Sequence, residues 1–154
     1  MPTTASADRS EAEEVASLVP SLLAISKLVR AVMAINLSEL GLQPGQDEVL
    51  LAFEKSRPMS TPQMAERLGV RPDTAAKLLA RLVQQRLAMR VENMIDARSM
   101  IVVITASGLE LQGRIREMMA GIDSKLGDTG DIRTMYPQIE QLNQRLARLL
   151  TPHF

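Results

Sequence analysis

The stretch 71–105 constrains the fold more than any other part of the sequence, because its hydrophobic spacing changes from helical to strand-like. Over residues 71–86 apolar side chains recur at three- and four-residue intervals, which predicts an amphipathic helix with one buried face. Residues 88–94 and 100–105 then predict two short strands around a polar tip, the second strand being rich in β-branched residues. The expected fold is therefore mainly α with a small β wing.

The two faces of the predicted helix differ in chemistry. The inward positions are Ala75, Leu78, Leu79 and Leu82, and the outward positions are Asp73, Thr74, Lys77, Arg81 and Gln84. The hairpin adds Arg90 and Arg98 on either side of a tip that holds Asp96. A basic helix face beside a basic hairpin predicts a surface that binds nucleic acid, whereas a solvated face without a partner is the alternative interpretation.

The residues before this helix predict a second, shorter helix. Ser60 is placed as its N-cap with Gln63 three residues later, and Pro62 falls in the first turn. Gly69 ends the short helix, and Pro72 lies in the first turn of the helix that follows. Two helices joined by a tight turn, the second with an exposed basic face, match the helix-turn-helix pattern.

The net charge of zero conceals a segregation of charge along the chain. The sequence holds 18 basic and 18 acidic residues, but the window 55–100 holds nine basic and four acidic ones, a net charge of +5. The remainder of the chain therefore carries −5. A basic middle between acidic ends favours a partner that carries phosphates and contacts only the middle, with a chance distribution as the alternative.

Several functional classes are disfavoured by composition. The chain has no cysteine and one histidine, His153, which argues against disulfides, thiolate metal sites and histidine acid–base chemistry. No glycine-rich phosphate loop is present, so we expect neither an enzyme nor a cofactor. Two phenylalanines, one tyrosine and no tryptophan leave few rings for stacking single-stranded bases, which favours duplex nucleic acid.

Apolar helices are predicted on both sides of the basic middle. Residues 13–40 are densely apolar, and the last helix carries an alternating four- and three-residue seam. The seam consists of Met135, Ile139, Leu142, Leu146 and Leu149. We expect these helices to form a layer that a second copy of the chain buries, with an intrachain bundle as the alternative.

The expected organisation has four parts: a disordered tail (1–12), an N-terminal dimerisation helix and loop (13–44), a winged helix-turn-helix DNA-binding domain (45–105) and C-terminal dimerisation helices (106–154). The N-terminus has neither a basic region nor an apolar core of a signal peptide. A cytoplasmic protein without a membrane partner is therefore expected.

Two segments carry a resemblance to a known family. Residues 96–99 (DARS) and 102–108 (VVITASG) resemble the D-x-R-(S/A) and v-x-L-T-x-x-G signature of the MarR family of winged helix-turn-helix transcription regulators. Residues 60–70 (STPQMAERLGV) resemble the first helix and turn of that family's DNA-binding domain. The resemblance covers nearly the whole chain in element order and is specific mainly from 60 to 108.

The resemblance implies a homodimer that binds a pseudo-palindromic duplex operator, with a recognition helix in each major groove. It places Asp73, Thr74, Ala76 and Lys77 at groove-facing positions, and Arg98 in the minor groove with Asp96 orienting it. On physical grounds Arg71, Arg81 and Arg90 are the expected phosphate contacts. A repressor is expected rather than an activator, and the resemblance implies release by a small aromatic or phenolic acid bound between the dimer layer and the DNA-binding lobe. A protein-interaction module that does not read DNA sequence is the alternative.

The side-chain chemistry at the groove positions leaves several contacts open. Lys77 can donate to a guanine edge or a phosphate, Thr74 can contact a base or the backbone, and Ala76 can touch a thymine methyl group. Asp73 is either a favourable charge at the helix N-terminus or an acceptor for cytosine N4.

Two features depart from the family pattern. Arg86 stands where the family commonly has a glycine after the recognition helix, so the helix either ends without glycine or continues past this residue. Met94 and Ile95 make the wing tip less polar than is usual in the family.

Overall fold

The computed structural model describes residues 18–55, 57–92 and 101–150, which form six helices and a small sheet. In chain order the elements are α1 (Leu18–Glu39), α2 (Gln46–Ala52), β1 (Met59–Ser60), α3 (Thr61–Leu68), α4 (Pro72–Gln84), β2 (Ala88–Val91), β3 (Ile101–Ile104), α5 (Ala106–Leu126) and α6 (Thr129–Leu150). The predicted mainly α fold with a small β wing is confirmed.

The sheet has three antiparallel strands in the order β1-β3-β2. Ala88 pairs with Ile104 across β2 and β3, and Met59 pairs with Val102 across β1 and β3. The sequence predicted only the two hairpin strands, and the third was missed. This strand has two residues, of which the second, Ser60, is also the N-cap of α3, so it is too short to show a strand period.

The helix-turn-helix forms as the sequence predicts. The hydroxyl oxygen of Ser60 accepts a hydrogen bond from the backbone N–H of Gln63, and the Gln63 side chain accepts one from the Ser60 N–H at 2.9 Å. Gly69 then ends α3 in the left-handed region, with φ of 63°. This reciprocal cap fixes where α3 begins, and the glycine fixes where α4 can start.

The hydrophobic core lies within residues 37–115. The largest fully buried apolar side chains come from α1 through α5 and include Leu37, Leu50, Met64, Leu79, Leu82 and Ile115. The buried residues of α5 all lie in its first half, up to Ile115, and none of the described residues of α6 is buried. The core therefore belongs to the winged helix-turn-helix lobe and leaves both terminal helices largely outside it.

The first helix exposes most of its apolar residues. Leu37 is its only buried residue, whereas Leu23 and Leu28 are each 67% exposed. By length and composition alone this 22-residue helix is long and apolar enough to cross a membrane. Lys27 and Arg30 divide the helix into apolar runs that are each far shorter than a bilayer span, although the helix as a whole is apolar.

The end of α4 resolves the question posed by Arg86. The helix ends at Gln84, and Arg86 adopts the left-handed region with φ of 61°. Of the two possibilities left open by the sequence, the helix therefore ends without a glycine.

Candidate nucleic-acid interface

The outward face of α4 carries the candidate base-reading side chains. Ala75, Leu79 and Leu82 are at most 1% exposed and attach the helix to the core. On the opposite side Asp73, Thr74, Lys77 and Arg81 are exposed, and Ala76 is half-buried at the border between the two faces. The predicted division of this helix into a buried face and an exposed polar face is confirmed.

Asp73 lies in the first turn of α4, beside Arg71. The Arg71 Nε atom is 3.3 Å from Asp73 Oδ1, and both side chains are largely exposed. Exposed ion pairs contribute little to stability, but a carboxylate in the first turn is favoured by the helix dipole. This placement matches the interpretation of Asp73 as a favourable charge at the helix N-terminus. The ion pair with Arg71 was not predicted.

Arg81 is held by the loop that precedes α2. Its Nη1 donates a hydrogen bond to Gln43 Oε1 at 2.9 Å while the side chain remains exposed. An arginine has five N–H donors, so this bond leaves others free to reach a phosphate. Arg81 therefore lies on the flank of the exposed face nearest the end of α1.

Arg90 is exposed on β2, a strand that contacts α4. This brings it into the same lobe as Lys77 and Arg81. Asp96 and Arg98, and also Met94 and Ile95, lie outside the described residues. Their predicted roles at the wing tip therefore remain predictions.

The ion pairs show which positive charges of the basic window are already matched. Glu54 accepts from Arg67 at 2.7 Å and from Arg57 at 3.2 Å, and the hydrogen bond from Arg67 lowers the pKa of the Glu54 carboxyl. Within ranges 18–55, 57–92 and 101–150, no carboxylate pairs with Lys77, Arg81, Arg86 or Arg90. Of the described cations of the basic window without a carboxylate partner, Lys55 lies just beyond α2, and the other four lie on α4, just beyond its C-terminal end and on β2.

Three glutamines at the border of this surface were missed at the level of sequence. Gln46 is 1% exposed and donates from Nε2 to Gln85 Oε1 at 2.7 Å, while Gln43 accepts from Arg81. The sequence could have identified Gln46 as a polar residue at a buried position, because it shares the helical spacing of the apolar residues Val49 and Leu50. Such a signal indicates a hydrogen-bonded amide but does not identify its partner.

The described part of the chain offers no arrangement suited to metal chemistry. Among those residues no group of three or more His, Cys, Asp or Glu side chains could hold a metal ion. Every buried side-chain nitrogen or oxygen in the described ranges has a hydrogen-bond partner. The polar groups of the lobe interior are therefore engaged in holding the fold.

Comparison with known proteins gives matches in structure but none in sequence: no protein-family model and no curated protein matches this chain. Reduced AbfR of Staphylococcus epidermidis, solved bound to DNA, is 23% identical with a TM-score of 0.74, covering 94% of this chain and 99% of that one. The transcriptional regulator BldR from Sulfolobus solfataricus is 22% identical with a TM-score of 0.71, covering 88% and 96%. Wild-type MarR from E. coli in its apo form is 17% identical with a TM-score of 0.67, covering 81% and 96%.

Proposed function

We propose that this chain, which has the winged-helix fold of the MarR-family regulators, is a homodimeric, sequence-specific duplex-DNA-binding transcription regulator that acts as a repressor in the cytoplasm. The observation that carries the proposal is the exposed α4 face with its unmatched Lys77 and Arg81, backed by a buried face that fixes its direction. The structural similarity to AbfR, which has been solved bound to DNA, supports the same conclusion.

In this proposal α4 lies in the major groove and the wing in the adjacent minor groove. Lys77 and Thr74 contact base edges or phosphates, Ala76 contacts a thymine methyl group, and Asp73 holds Arg71 toward the backbone. Arg81 and Arg90 contribute phosphate contacts, and Arg98, oriented by Asp96, enters the minor groove.

The exposed apolar faces of α1 and α6 support a homodimer. Leu28, Ile35 and Ile139 are each more than half exposed in the single chain, so the alternative of an intrachain bundle leaves them in water. A second copy would bury them about a two-fold axis and present two α4 helices to the same side of a duplex.

Selection of bound sequences from a random duplex pool tests the proposal. We expect a pseudo-palindrome whose half-sites lie roughly 10 bp apart, or one helical turn. Recovery of no preferred sequence, together with capture of an acidic protein that random duplex cannot displace, would instead favour the protein-interaction module.

Lys77→Ala tests the assignment of the groove-facing side chain. We expect it to weaken binding to the selected duplex by about 1 to 3 kcal/mol if Lys77 contacts a base, or to lower the salt slope by about 1 if it contacts a phosphate. Titration at several salt concentrations, by fluorescence anisotropy, distinguishes the two. Lys125→Ala, which removes the same charge from an exposed position at the end of α5, is the matched control and should leave affinity unchanged.

Release by a small acid is the further part of this proposal. An open cleft of about 1140 Å³ lies between the end of α2, α3 and α5. Its apolar lining includes Leu51, Phe53 and Leu109, and its charged lining comprises Lys55, Arg57, Arg67, Arg116 and Glu54. A lining that combines apolar side chains with several positive charges suits an aromatic or phenolic acid.

The probe for this cleft is 2-hydroxybenzoate, with uncharged 2-hydroxybenzamide as its matched control. We expect calorimetry to detect binding of the acid alone, and the bound acid to weaken operator binding. Equal binding of both compounds, or operator affinity that the acid leaves unchanged, would contradict release through this cleft.

A further inference from the structure

The buried side chain of Gln46 uses both of its polar atoms. At 1% exposure, an unpaired amide would carry a large desolvation cost. Its Oε1 accepts from the backbone N–H of Gln43 at 2.8 Å, and its Nε2 donates to Gln85 Oε1 at 2.7 Å. Gln46 therefore connects the loop that follows α1 directly to the residue that caps α4.

A second side-chain hydrogen bond joins the same two segments. Arg81 Nη1 donates to Gln43 Oε1, and Arg81 lies four residues before Gln85, on the same side of the helix end. One turn earlier, Leu78 Cδ2 lies 3.7 Å from the position that a β-carbon on Gly45 would occupy. We call this contact of residues 43–46 with Leu78, Arg81 and Gln85 the loop clamp.

The other end of α2 is also fixed. Gln112, on α5 and 4% exposed, donates from Nε2 to the backbone oxygens of Leu50 and Phe53. The seven-residue helix α2 is therefore tied to α4 at its N-terminal end and to α5 at its C-terminal end. Because α2 is attached to α5 at one end, the loop clamp at its other end can restrict the movement of α4 relative to the core.

We propose that Gln46 and Gln43 are positioning residues that set the direction of the recognition helix through its last turn. Because α4 has 13 residues and is about 20 Å long, a displacement at its C-terminal end tilts the side chains at its N-terminal end. Hydrogen bonds to base edges depend on direction more strongly than contacts to phosphates do. The loop clamp would thus support sequence discrimination and leave general DNA affinity nearly unchanged, an inference that rests on the proposed function.

The test breaks the loop clamp at its exposed end, Gln85, which keeps every buried side chain in place but removes the acceptor of the buried Gln46 amide. Gln85→Met removes the acceptor, whereas Gln85→Glu keeps an oxygen in its place and is the matched control. The measured quantity is the ratio of affinities for the selected operator and for a random duplex of equal length. We expect Gln85→Met to lower this ratio about three- to tenfold, with random-duplex affinity unchanged.

Gln85→Glu should keep the wild-type ratio of affinities, because an added negative charge weakens binding to the operator and to the random duplex equally. Gln46→Met removes the hydrogen bond to Gln85 and also the one that Gln46 Oε1 accepts from the Gln43 N–H, so it should lower the ratio at least as much as Gln85→Met does. The double variant should be no worse than Gln46→Met alone. Thermal unfolding of each variant gives the stability that a purely structural role would alter.

Two results overturn the proposal in distinguishable ways. A wild-type protein that shows no preference for any duplex defeats the proposed function and this inference with it. A wild-type protein that discriminates, beside a Gln85→Met variant with an unchanged ratio or with equal losses on both duplexes, defeats the loop clamp alone.

Discussion

Arg86 occupies a backbone conformation that glycine usually takes at helix ends. The Arg86 N–H donates to Val83 O, and the Leu87 N–H donates to Leu82 O, which is the double hydrogen bond of a Schellman motif. α1 and α3 end with the same pair of bonds, but around Gly41 and Gly69. A β-carbon in this region is unfavourable by about 1–2 kcal/mol, and the arginine bears that cost.

Arg86→Gly should therefore stabilise the protein. We expect a gain of about 0.5 to 1 kcal/mol, because relief of the left-handed strain exceeds the entropy that an unfolded glycine adds. The shift in the midpoint of urea unfolding measures this gain, provided that the dependence of the unfolding free energy on urea concentration is unchanged.

Gly69→Ala is the matched control for this substitution, because nothing lies within 4 Å of the added β-carbon. It should lower stability by about 1 kcal/mol through backbone strain alone. A loss of stability in Arg86→Gly would show that the arginine side chain makes a contact worth more than the strain.

The junction between the wing and α5 is made by Thr105. Its hydroxyl accepts from the Gly108 N–H at 3.1 Å as the cap of α5 and donates to the Arg86 carbonyl at 2.8 Å. Its backbone N–H donates to Leu87 O. A β-carbon on Gly108 would come within 2.1 Å of that same oxygen. The start of α5 is thus fixed against the end of α4 by one side chain and a close backbone approach.

Thr105→Val should weaken this junction while preserving side-chain shape. We expect a loss of about 1 to 2 kcal/mol in unfolding free energy, since a helix cap and a hydrogen bond are removed together. Thr105→Ser keeps the hydroxyl and should lose much less. Similar losses in both variants, measured by urea unfolding, would indicate that packing of the methyl group matters more than the hydroxyl.

At the scale of the whole molecule, the core and the exposed apolar surface occupy different parts of the chain. The buried core ends at Ile115, whereas α1 and α6 present Leu28, Ile35 and Ile139 to solvent. The proposed homodimer would bury this exposed apolar surface, so we expect the unfolding midpoint to rise with protein concentration.

Leu28→Glu should disrupt the proposed dimer. We expect the dissociation constant measured by analytical ultracentrifugation to rise about thirtyfold or more, because burying an unpaired charge costs roughly 2 kcal/mol or more. Ser38→Glu adds the same charge to an exposed position of the same helix and is the control. If the wild-type protein sediments as a monomer at micromolar concentration, the homodimer proposal fails.

Local rules determined much of this protein from the sequence. Helical spacing predicted both faces of α4, and cap chemistry predicted where α3 begins, because these features depend on residues within one or two turns. The charge count predicted a basic middle, although it could not show that Glu54 forms ion pairs with both Arg57 and Arg67.

Only the tertiary structure decided what depends on residues distant in sequence. The pairing of Met59 with Val102, and the links from Gln46 to Gln85 and from Gln112 to Leu50, span about 40 to 60 residues. No local pattern encodes such partners, because a buried side-chain amide can form a hydrogen bond with any correctly placed donor or acceptor. The sequence therefore determined which helix would carry the outward polar face, whereas the fold decided how that helix is held.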